Sequence, residues 1–587
     1  MNNEQIKRTN FSSNISNRNF NKPRPGHRSE NSLKLMALGG MGEVGKNCYV
    51  VEYKRDLFVI DYGVLFPGSE YVGVDYIIPN FTYLKQNERR IKGLYITHAH
   101  EDHIGGIPFL LKKVKIPVIY ASKITKLLIE KKLKEHKLTA NIIEINEYTT
   151  LKEKDVLIHT FRQTHSVPNC LGLFFETPIG NVATTGDFKV DFSPSGEKRI
   201  DFQRITDLSK KKVLCLMSDS TNSLREGFSE SSAEIGENLK LLIKEAQGRI
   251  LFTTFASHIN RVQKIVEGCL ETNRKVCVLG RSMKNNLQIG MKIGYIKLKP
   301  NDIIDLKEIK NYAPNEVCII CTGSQGETLA ALSRIAHGLN ANFSLSSDDT
   351  VVFASSPIPG NNYQIGKVID QLAKTECKII TNSSYFKTHT SGHASKEEQK
   401  LMLSLFEPEY FLPIHGNYYM LLEHKKTWTT MGFTKTNSFL FDNGDVLTFK
   451  KGQRPTIKRK AFPGQSMFVS GNNVNVSLEQ SSMNQLATDG MLVVSLLVGR
   501  NKKLISYPQI TTRGFIIINE RIDLLKQIQK YLIKVYNDNQ ELKEEELIIL
   551  LKKRMMQYIY NKTGKNPFVS INTIKYNPQR KSKETKI

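Results

Sequence analysis

Thr97-His-Ala-His-Glu-Asp-His103 lies between the apolar run Gly93-Leu-Tyr-Ile96 and Ile104-Gly-Gly-Ile107, and it reads H-x-H-x-D-H, with three histidines and an aspartate inside six residues. Imidazole and carboxylate together suit zinc and related divalent ions. An apolar, β-prone run followed by a polar turn places the four side chains at the mouth of a strand. His98 and His100, two residues apart, can converge on one ion. Asp102 and His103, slightly further on, can face a second. A pair of ions about 3.5–4 Å apart is the usual clamp for hydrolysing a phosphate ester. A solvated His/Asp loop is the bland alternative. It loses ground because further ligands of the same kind follow downstream.

Those partners come in order: His165 in Gln-Thr-His-Ser-Val-Pro, Asp187 in Thr-Thr-Gly-Asp-Phe-Lys and His415 in Leu-Pro-Ile-His-Gly-Asn. Each follows a short apolar or β-branched run, so each is expected at a strand end. A lone histidine in that position is more often structural than ligating, but several ending alike can complete one centre. The expected grouping is His98, His100 and His165 on one ion, Asp102, His103 and His415 on the other, and Asp187 bridging. A water shared by two cations has its pKa lowered far enough to act as hydroxide near neutral pH.

At this point the chain resembles a known family. The H-x-H-x-D-H signature with its downstream His, Asp and His looks like the metallo-β-lactamase fold. Further stretches look like its nucleic-acid-processing β-CASP branch, and most closely like the ribonuclease J family. They are Leu38-Gly-Gly-Met-Gly-Glu-Val-Gly-Lys-Asn47, Met217-Ser-Asp-Ser-Thr-Asn222, Thr254-Phe-Ala-Ser257, Thr322-Gly-Ser-Gln-Gly-Glu327, Ser355-Ser-Pro-Ile-Pro-Gly360, His389-Thr-Ser-Gly-His-Ala394, Pro413-Ile-His-Gly416 and Thr512-Arg-Gly-Phe515. The resemblance covers roughly residues 32–575 and rests on the order and spacing of these pieces together.

The resemblance implies an α/β architecture: a metallo-β-lactamase αββα sandwich with an inserted α/β β-CASP domain and a small α+β C-terminal domain. It implies two divalent metal ions per subunit, zinc first, with Mn²⁺ or Mg²⁺ as alternatives for activity. Asp219 and His393 match family positions suited to assisting the leaving 3′-oxygen, a histidine held by a carboxylate keeping its proton more readily. Asp187 joins them as the catalytic bridging ligand. By itself Ser218-Asp-Ser-Thr-Asn222 is turn chemistry. The loop His389, Thr390, Ser391, Gly392, His393 looks like the family's phosphate-gripping loop, with Ser257 and Ser324 lining the same channel from the insert.

The implied activity is 5′-to-3′ exonucleolytic and endonucleolytic cleavage of single-stranded, 5′-monophosphorylated RNA, in messenger RNA decay and maturation of ribosomal and other stable RNA. A homodimer or homotetramer is implied, together with RNA-decay or ribosome-associated protein partners. The rival readings are a DNA-processing β-CASP nuclease and an RNA-binding scaffold of a degradation complex. A His at the place of His415 goes with RNA-processing members. A complete ligand set argues against pure scaffolding. Three departures stand out. After Ser257 the family's Asn-then-His order is swapped to His258 and Asn260. Asn417 replaces a Glu after His415-Gly416. Near Ser470 the family can carry an Asp that joins a structural calcium site, so that site is expected to be weakened or absent.

Composition agrees with a polyanion partner. The 587 residues carry a formal charge of +26, and a basic surface attracts nucleic acid. Lys, Asn and Ile are abundant throughout, so part of the excess reflects composition and not selection for binding. Eight unpatterned cysteines suggest a reducing compartment. The C-x-x-C pair Cys318/Cys321 falls in an apolar run that reads as a buried strand, where residues three apart face opposite sides. No apolar run approaches the roughly 18–20 residues of a membrane span, and no apolar signal core opens the chain. A cytoplasmic protein without a membrane partner is expected. Gly40-Met-Gly-Glu-Val-Gly45 matches G-x-G-x-x-G, yet strand-like Cys48-Tyr-Val-Val follows instead of a helix, which argues against a dinucleotide site.

The expected organisation is a disordered basic arm (1–31), the first part of the metallo-β-lactamase domain (32–218), the β-CASP domain (219–379), a return segment (380–450), a Lys/Arg/Pro-rich linker (451–465) and a C-terminal oligomerisation domain with a basic tail (466–587). Within the insert, alternating strands and helices imply a parallel sheet, with one helix expected over Glu327–His337. In the last domain helices are expected over Ile522–Asn537 and Glu541–Lys562.

Overall fold

A computed structural model describes residues 31–576, except 69–70, 72, 195–197, 326, 328–329, 341, 358–360, 384–385, 472, 476–479 and 516–521, and except the side chains of 480–484. The expected basic arm, apart from residue 31, and the basic tail after 576 lie outside the described residues.

Side-chain alternation along strands builds the first domain. In strand Leu33–Gly39, Leu33, Leu35 and Ala37 enter one core with Phe58, Leu171, Leu173 and Phe175. Met36 and Leu38 enter another with Ile129 and Leu133 of helix Lys123–Glu135. The first core lies between two sheets. One has eight strands, in the order Thr456–Lys458, Val446–Phe449, Leu33–Gly39, Cys48–Tyr53, Asp56–Ile60, Ile91–Tyr95, Ile119–Ala121, Ile142–Glu144. The other has six, in the order Tyr410–Ile414, Val213–Asp219, Asn181–Thr184, Leu171–Glu176, Val156–Arg162, Thr150–Glu153. On the outer face of the second sheet, Phe174 and Ala183 pack against Met402, Leu403 and Phe406 of helix Lys396–Phe406. Truncating a side chain such as Phe174, fully buried there, costs about 3–5 kcal/mol. The layers therefore run helix, sheet, sheet, helix.

A third, six-stranded sheet orders Ile303–Ile304, Lys275–Leu279, Val317–Cys321, Ile250–Thr253, Thr350–Phe353, Lys378–Ile380, with every pairing parallel. Its strands are apolar on both faces because helices cover both: Ile250 and Phe252 enter one core, Leu251 the other. Cys318 and Cys321 divide between those two cores, so they cannot share a metal or a disulfide. At the end of the chain, strands Gln509–Arg513, Met491–Val498 and Phe568–Lys575 carry helices Ile522–Asn537 and Glu544–Thr563.

Three local expectations are corrected. The helix expected over Glu327–His337 is found over Ala331–Ala336, with Ala330 in extended backbone before its first turn. Segment 451–465 is not a free linker. Thr456–Lys458 adds an edge strand to the first sheet, and Lys460 N donates to the buried Asp445 carboxylate (2.9 Å). Met467–Ser470 pairs with Tyr76–Ile78, and Met467 and Val469 complete the first domain's core. The last helix starts at Glu544, not Glu541.

Candidate metal centre and its flanking chamber

The topology collects the ligands. Asn181–Thr184, Val213–Asp219 and Tyr410–Ile414 are parallel neighbours, so their C-terminal ends share one edge and present Asp187, Asp219 and His415 together. In the facing sheet, strand Ile91–Tyr95 delivers His98 and His100, and the short helix Glu101–Ile104 carries Asp102 and His103. His165 leaves strand Val156–Arg162.

Three overlapping clusters form and all share Asp187; the third joins Asp187 and His415 to Asp219 and His393. The first holds His98, His100 and His165, the second Asp102, His103 and His415. In the first, His98 Nε2 and His165 Nε2 lie 3.1 and 3.0 Å from His100 Nδ1. In the second, Asp102 Oδ2 lies 3.3 Å from His415 Nε2 and 3.5 Å from His103 Nε2, and Asp187 Oδ2 lies 3.2 Å from His103 Nε2. Burial holds His98 and His165 well below the usual imidazole pKa and brings His100 down to about 4, which leaves neutral rings fit for ligation. At His103 and His415 burial pulls the same way, but the Asp187 and Asp102 carboxylates outweigh it and raise both. Those carboxylates make a concentrated negative field that calls for a cation. Asp187 Oδ2 and His415 Nε2 are buried and make no hydrogen bond. Orphaned buried polar atoms of this kind are rare. A divalent metal pair fits this donor set.

A second layer of partners orients these ligands, and sequence reading had missed it. Asp61 accepts from His103 Nδ1 (2.8 Å), Thr97 N (2.8 Å) and Thr97 Oγ1 (2.7 Å). Such a carboxylate fixes the histidine tautomer and raises its basicity as a ligand. Asp61 directly follows the apolar strand Asp56–Ile60, as Asp187 follows Asn181–Thr184, but that placement alone does not tell an orienting carboxylate from a turn cap. Asn47 Nδ2 reaches His103 Nε2 (3.1 Å), and Tyr49 OH donates to Asn47 Oδ1 (2.9 Å). His415 adopts φ +52°, sparse for a residue with a side chain. Its N–H donates to Gly40 O (3.0 Å), and its carbonyl accepts from Thr221 Oγ1 (3.1 Å).

Asp219 and His393 meet beside the clusters, with His393 Nδ1 donating to Asp219 Oδ2 at 2.8 Å. Burial disfavours the imidazolium, but the Asp219 carboxylate prevails and His393 sits above its ordinary pKa. Thr221 N and Oγ1 hold the other Asp219 oxygen (2.9 and 2.8 Å). Asn222 Nδ2 spans Ser391 Oγ (2.8 Å) and the His393 carbonyl (2.9 Å), tying the 389–393 loop to this turn. His165 Nδ1 donates to Gly392 O (2.6 Å), and a Cβ on Gly392 would lie 2.5 Å from the His165 ring. Only glycine permits that approach.

A chamber opens from His165 and the Thr390–Gly392 loop onto Lys189, His258, Asn260, Arg261 and Lys264. Arg261 is anchored on Ala354 O and Thr388 O (3.1 and 2.5 Å), and burial lowers its pKa to about 10. The swapped pair His258 and Asn260 both line this chamber, and His258 lies parallel to His389 at 5.6 Å. Ser324 is 2% exposed at the end of strand Val317–Cys321, and Ser257 is half-buried; neither is among the chamber's lining residues.

Comparison with known proteins agrees with this geometry. Residues 41–202 match the metallo-beta-lactamase superfamily, 247–372 the ribonuclease J beta-CASP domain, 384–437 a Zn-dependent metallo-hydrolase RNA specificity domain and 484–575 the ribonuclease J C-terminal domain. Ribonuclease J 1 of Streptococcus pyogenes is 39% identical over 547 residues, covering 92% of this chain and 97% of that relative. The chain belongs to the ribonuclease J family. Ribonuclease J of Mycoplasma genitalium (36% identical) and ribonuclease J2 of Bacillus subtilis (34%) each cover 92% of this chain and, respectively, 96% and 98% of their own lengths. A crystal structure of a protein of unknown function from Enterococcus faecalis V583 shares the fold, with a TM-score of 0.52 at 16% identity over 71% of this chain and 100% of that one. Among the described residues of this ribonuclease J family member, no helix is long and apolar enough to cross a membrane.

Proposed function

We propose that this ribonuclease J family member is a metal-dependent ribonuclease. It removes nucleotides 5′-to-3′ from single-stranded RNA with a 5′-monophosphate, also cuts internally, and serves messenger RNA decay and maturation of ribosomal and other stable RNA in the cytoplasm. The observation that carries this reading is the pair of ligand clusters sharing Asp187, with the Asp219–His393 pair at their side. His98, His100 and His165 would hold one ion and Asp102, His103 and His415 the other, with zinc the ion this donor set would suit best. When bound, the two ions lower the pKa of a shared water and offset the charge that builds on the phosphate.

The chain's own groups do the rest. Asp219 holds His393 through Nδ1 and raises its pKa, so that Nε2 can deliver the proton needed by the departing 3′-oxygen. Ser391 Oγ and the loop's backbone N–H groups grip phosphate oxygens. Lys189, Arg261 and Lys264 supply the positive charge that seats a terminal phosphate in the chamber. The C-terminal domain supports a homodimer or homotetramer.

The test uses RNA labelled at its 3′ end with either a 5′-monophosphate or a 5′-triphosphate, and single-stranded DNA of the same sequence. Metal-dependent release of mononucleotides from the monophosphorylated RNA, abolished by Asp102→Ala and by a chelator, is expected. Cleavage of the DNA in preference to RNA would transfer the site to the DNA-processing reading. Absence of any cleavage with Mn²⁺, Mg²⁺ or Zn²⁺ would leave the RNA-binding scaffold.

A further inference from the structure

A second cavity, of about 520 Å³, lies against the edge of the first sheet, between helix Tyr418–Thr430 and the edge strand Thr456–Lys458. The edge strand belongs to the most basic stretch of the described chain. Residues 450–460 hold Lys450, Lys451, Arg454, Lys458, Arg459 and Lys460 and no Asp or Glu. Arg459 and Lys460 line the cavity, with Lys425 from the helix. The acidic groups there are Asp442, which is exposed, and Asp445. The Asp445 carboxylate is buried and already accepts from Arg459 Nη1 (2.5 Å), Lys460 N (2.9 Å) and Asp442 N (3.0 Å). Positive charge therefore prevails at the mouth.

Two further features point to a ligand. Tyr418, 53% exposed, puts an aromatic ring at the rim, and Phe439 adds another. Ser438 is 2% exposed, lines the cavity, and its hydroxyl has no partner. The cavity's lining is close in sequence to the metal centre and is joined to it by hydrogen bonds. Tyr418 is the third residue after His415. Asn443, beside Asp442, accepts from Met41 N (3.2 Å) and donates to Glu43 Oε1 (2.9 Å), in the loop that bridges Gly416.

We propose that this cavity is a second contact site for single-stranded RNA, in which a base stacks on Tyr418 while Arg459 and Lys460 meet the backbone phosphates of strand lying beyond the metal centre. Cations interleaved with an exposed ring are what holds single strands without regard to sequence. The site would lengthen the grip on long RNA beyond what the chamber and the 389–393 loop provide. This inference rests on the reading that RNA is the substrate.

The test takes the full chain stripped of metal by a chelator, so that RNA is bound and not cut, with RNA carrying 4-thiouridine throughout. After irradiation, cross-links at Tyr418 or Phe439 are expected beside those in the 389–393 loop. In parallel, Tyr418→Ala with Lys460→Asn is titrated with labelled RNA by fluorescence anisotropy at several salt concentrations. Lys460 has φ +47°, which Asn tolerates, and Arg459 is left in place so that Asp445 keeps its partner. Affinity should weaken roughly tenfold or more from the lost stacking. The slope of log K against log salt should shrink by about 0.7 for the lost phosphate contact. Cross-links confined to the loop and chamber, with an unchanged slope in a variant whose melting curve matches the parent, would overturn the inference. Metal-loaded parent protein run on the same RNA separates the two ideas: cleavage without cavity cross-links sinks only this site, whereas neither binding nor cleavage sinks the RNA reading itself.

Discussion

Replacing Asp219 by Asn should disable the proton donor while sparing the metal centre. The His393 Nδ1–Asp219 Oδ2 bond is 2.8 Å long and its acceptor is 1% exposed, so it is charge-assisted and shielded from water. Hydrogen bonds to charged groups contribute about 1.5–3 kcal/mol, and each 1.4 kcal/mol of barrier is a factor of ten. The variant should therefore lose about 10- to 100-fold in kcat, if the bond is felt wholly in the step that expels the 3′-oxygen. The sign of the pH effect follows from the same contact. Asp219 raises the His393 pKa above its ordinary value, so the active, protonated form persists to higher pH in the parent. Without the carboxylate that pKa falls, and the alkaline limb of the kcat profile should move to lower pH. Asn can still accept from Thr221 N and Oγ1 at the outer oxygen, and although Asp219 groups with Asp187, His393 and His415 it lies outside both proposed ligand sets, so full metal content is expected and is measured to separate loss of the proton donor from loss of metal. The assay is single-turnover cleavage of 5′-monophosphorylated RNA across pH, with metal measured on the same samples. A kcat within threefold of the parent and an unmoved alkaline limb, at full metal content, would refute the role given to this pair.

Other substitutions probe the supports. Asn222→Ala releases both Ser391 Oγ and the His393 carbonyl; at about 1 kcal/mol per bond, it should destabilise the fold by about 2 kcal/mol and raise KM for RNA, read by thermal melting and steady-state kinetics. Asp61→Ala removes the acceptor of His103 Nδ1 and should weaken metal binding about 10- to 100-fold, measured by competition with a chromogenic chelator. Gly392→Ala drives a methyl against the His165 ring; overpacking of this kind costs about 1–3 kcal/mol, and metal retention should fall with stability, whereas a fully loaded, equally stable variant would contradict the close approach.

The clustered histidines and aspartates were legible because each follows a strand whose apolar run is visible in the sequence, and because four of them fall inside six residues. The αββα layering followed from resemblance more than from periodicity, since strands such as Cys48–Tyr53 are buried on both faces and show no alternation. Asp61 and Asn222 were missed for a different reason. Their partners lie 42 and about 170 residues away, and nothing local distinguishes a carboxylate that orients a histidine from one that caps a turn. The basic segment near 456 read as a linker because exposed edge strands carry charge to deter pairing, which erases the hydrophobic signal a strand otherwise gives.

If Asp187 bridges two ions held by six further residues, the metal content of the protein should show it. Metal per subunit, measured by elemental analysis after dialysis against buffered zinc, tests it most directly, taken on the parent, on His165→Ala and on Asp187→Ala. The expected result is two zinc ions in the parent, one in His165→Ala, and fewer than one in Asp187→Ala, because the bridge serves both. A parent that binds one ion, or an Asp187→Ala protein that keeps two, would contradict it.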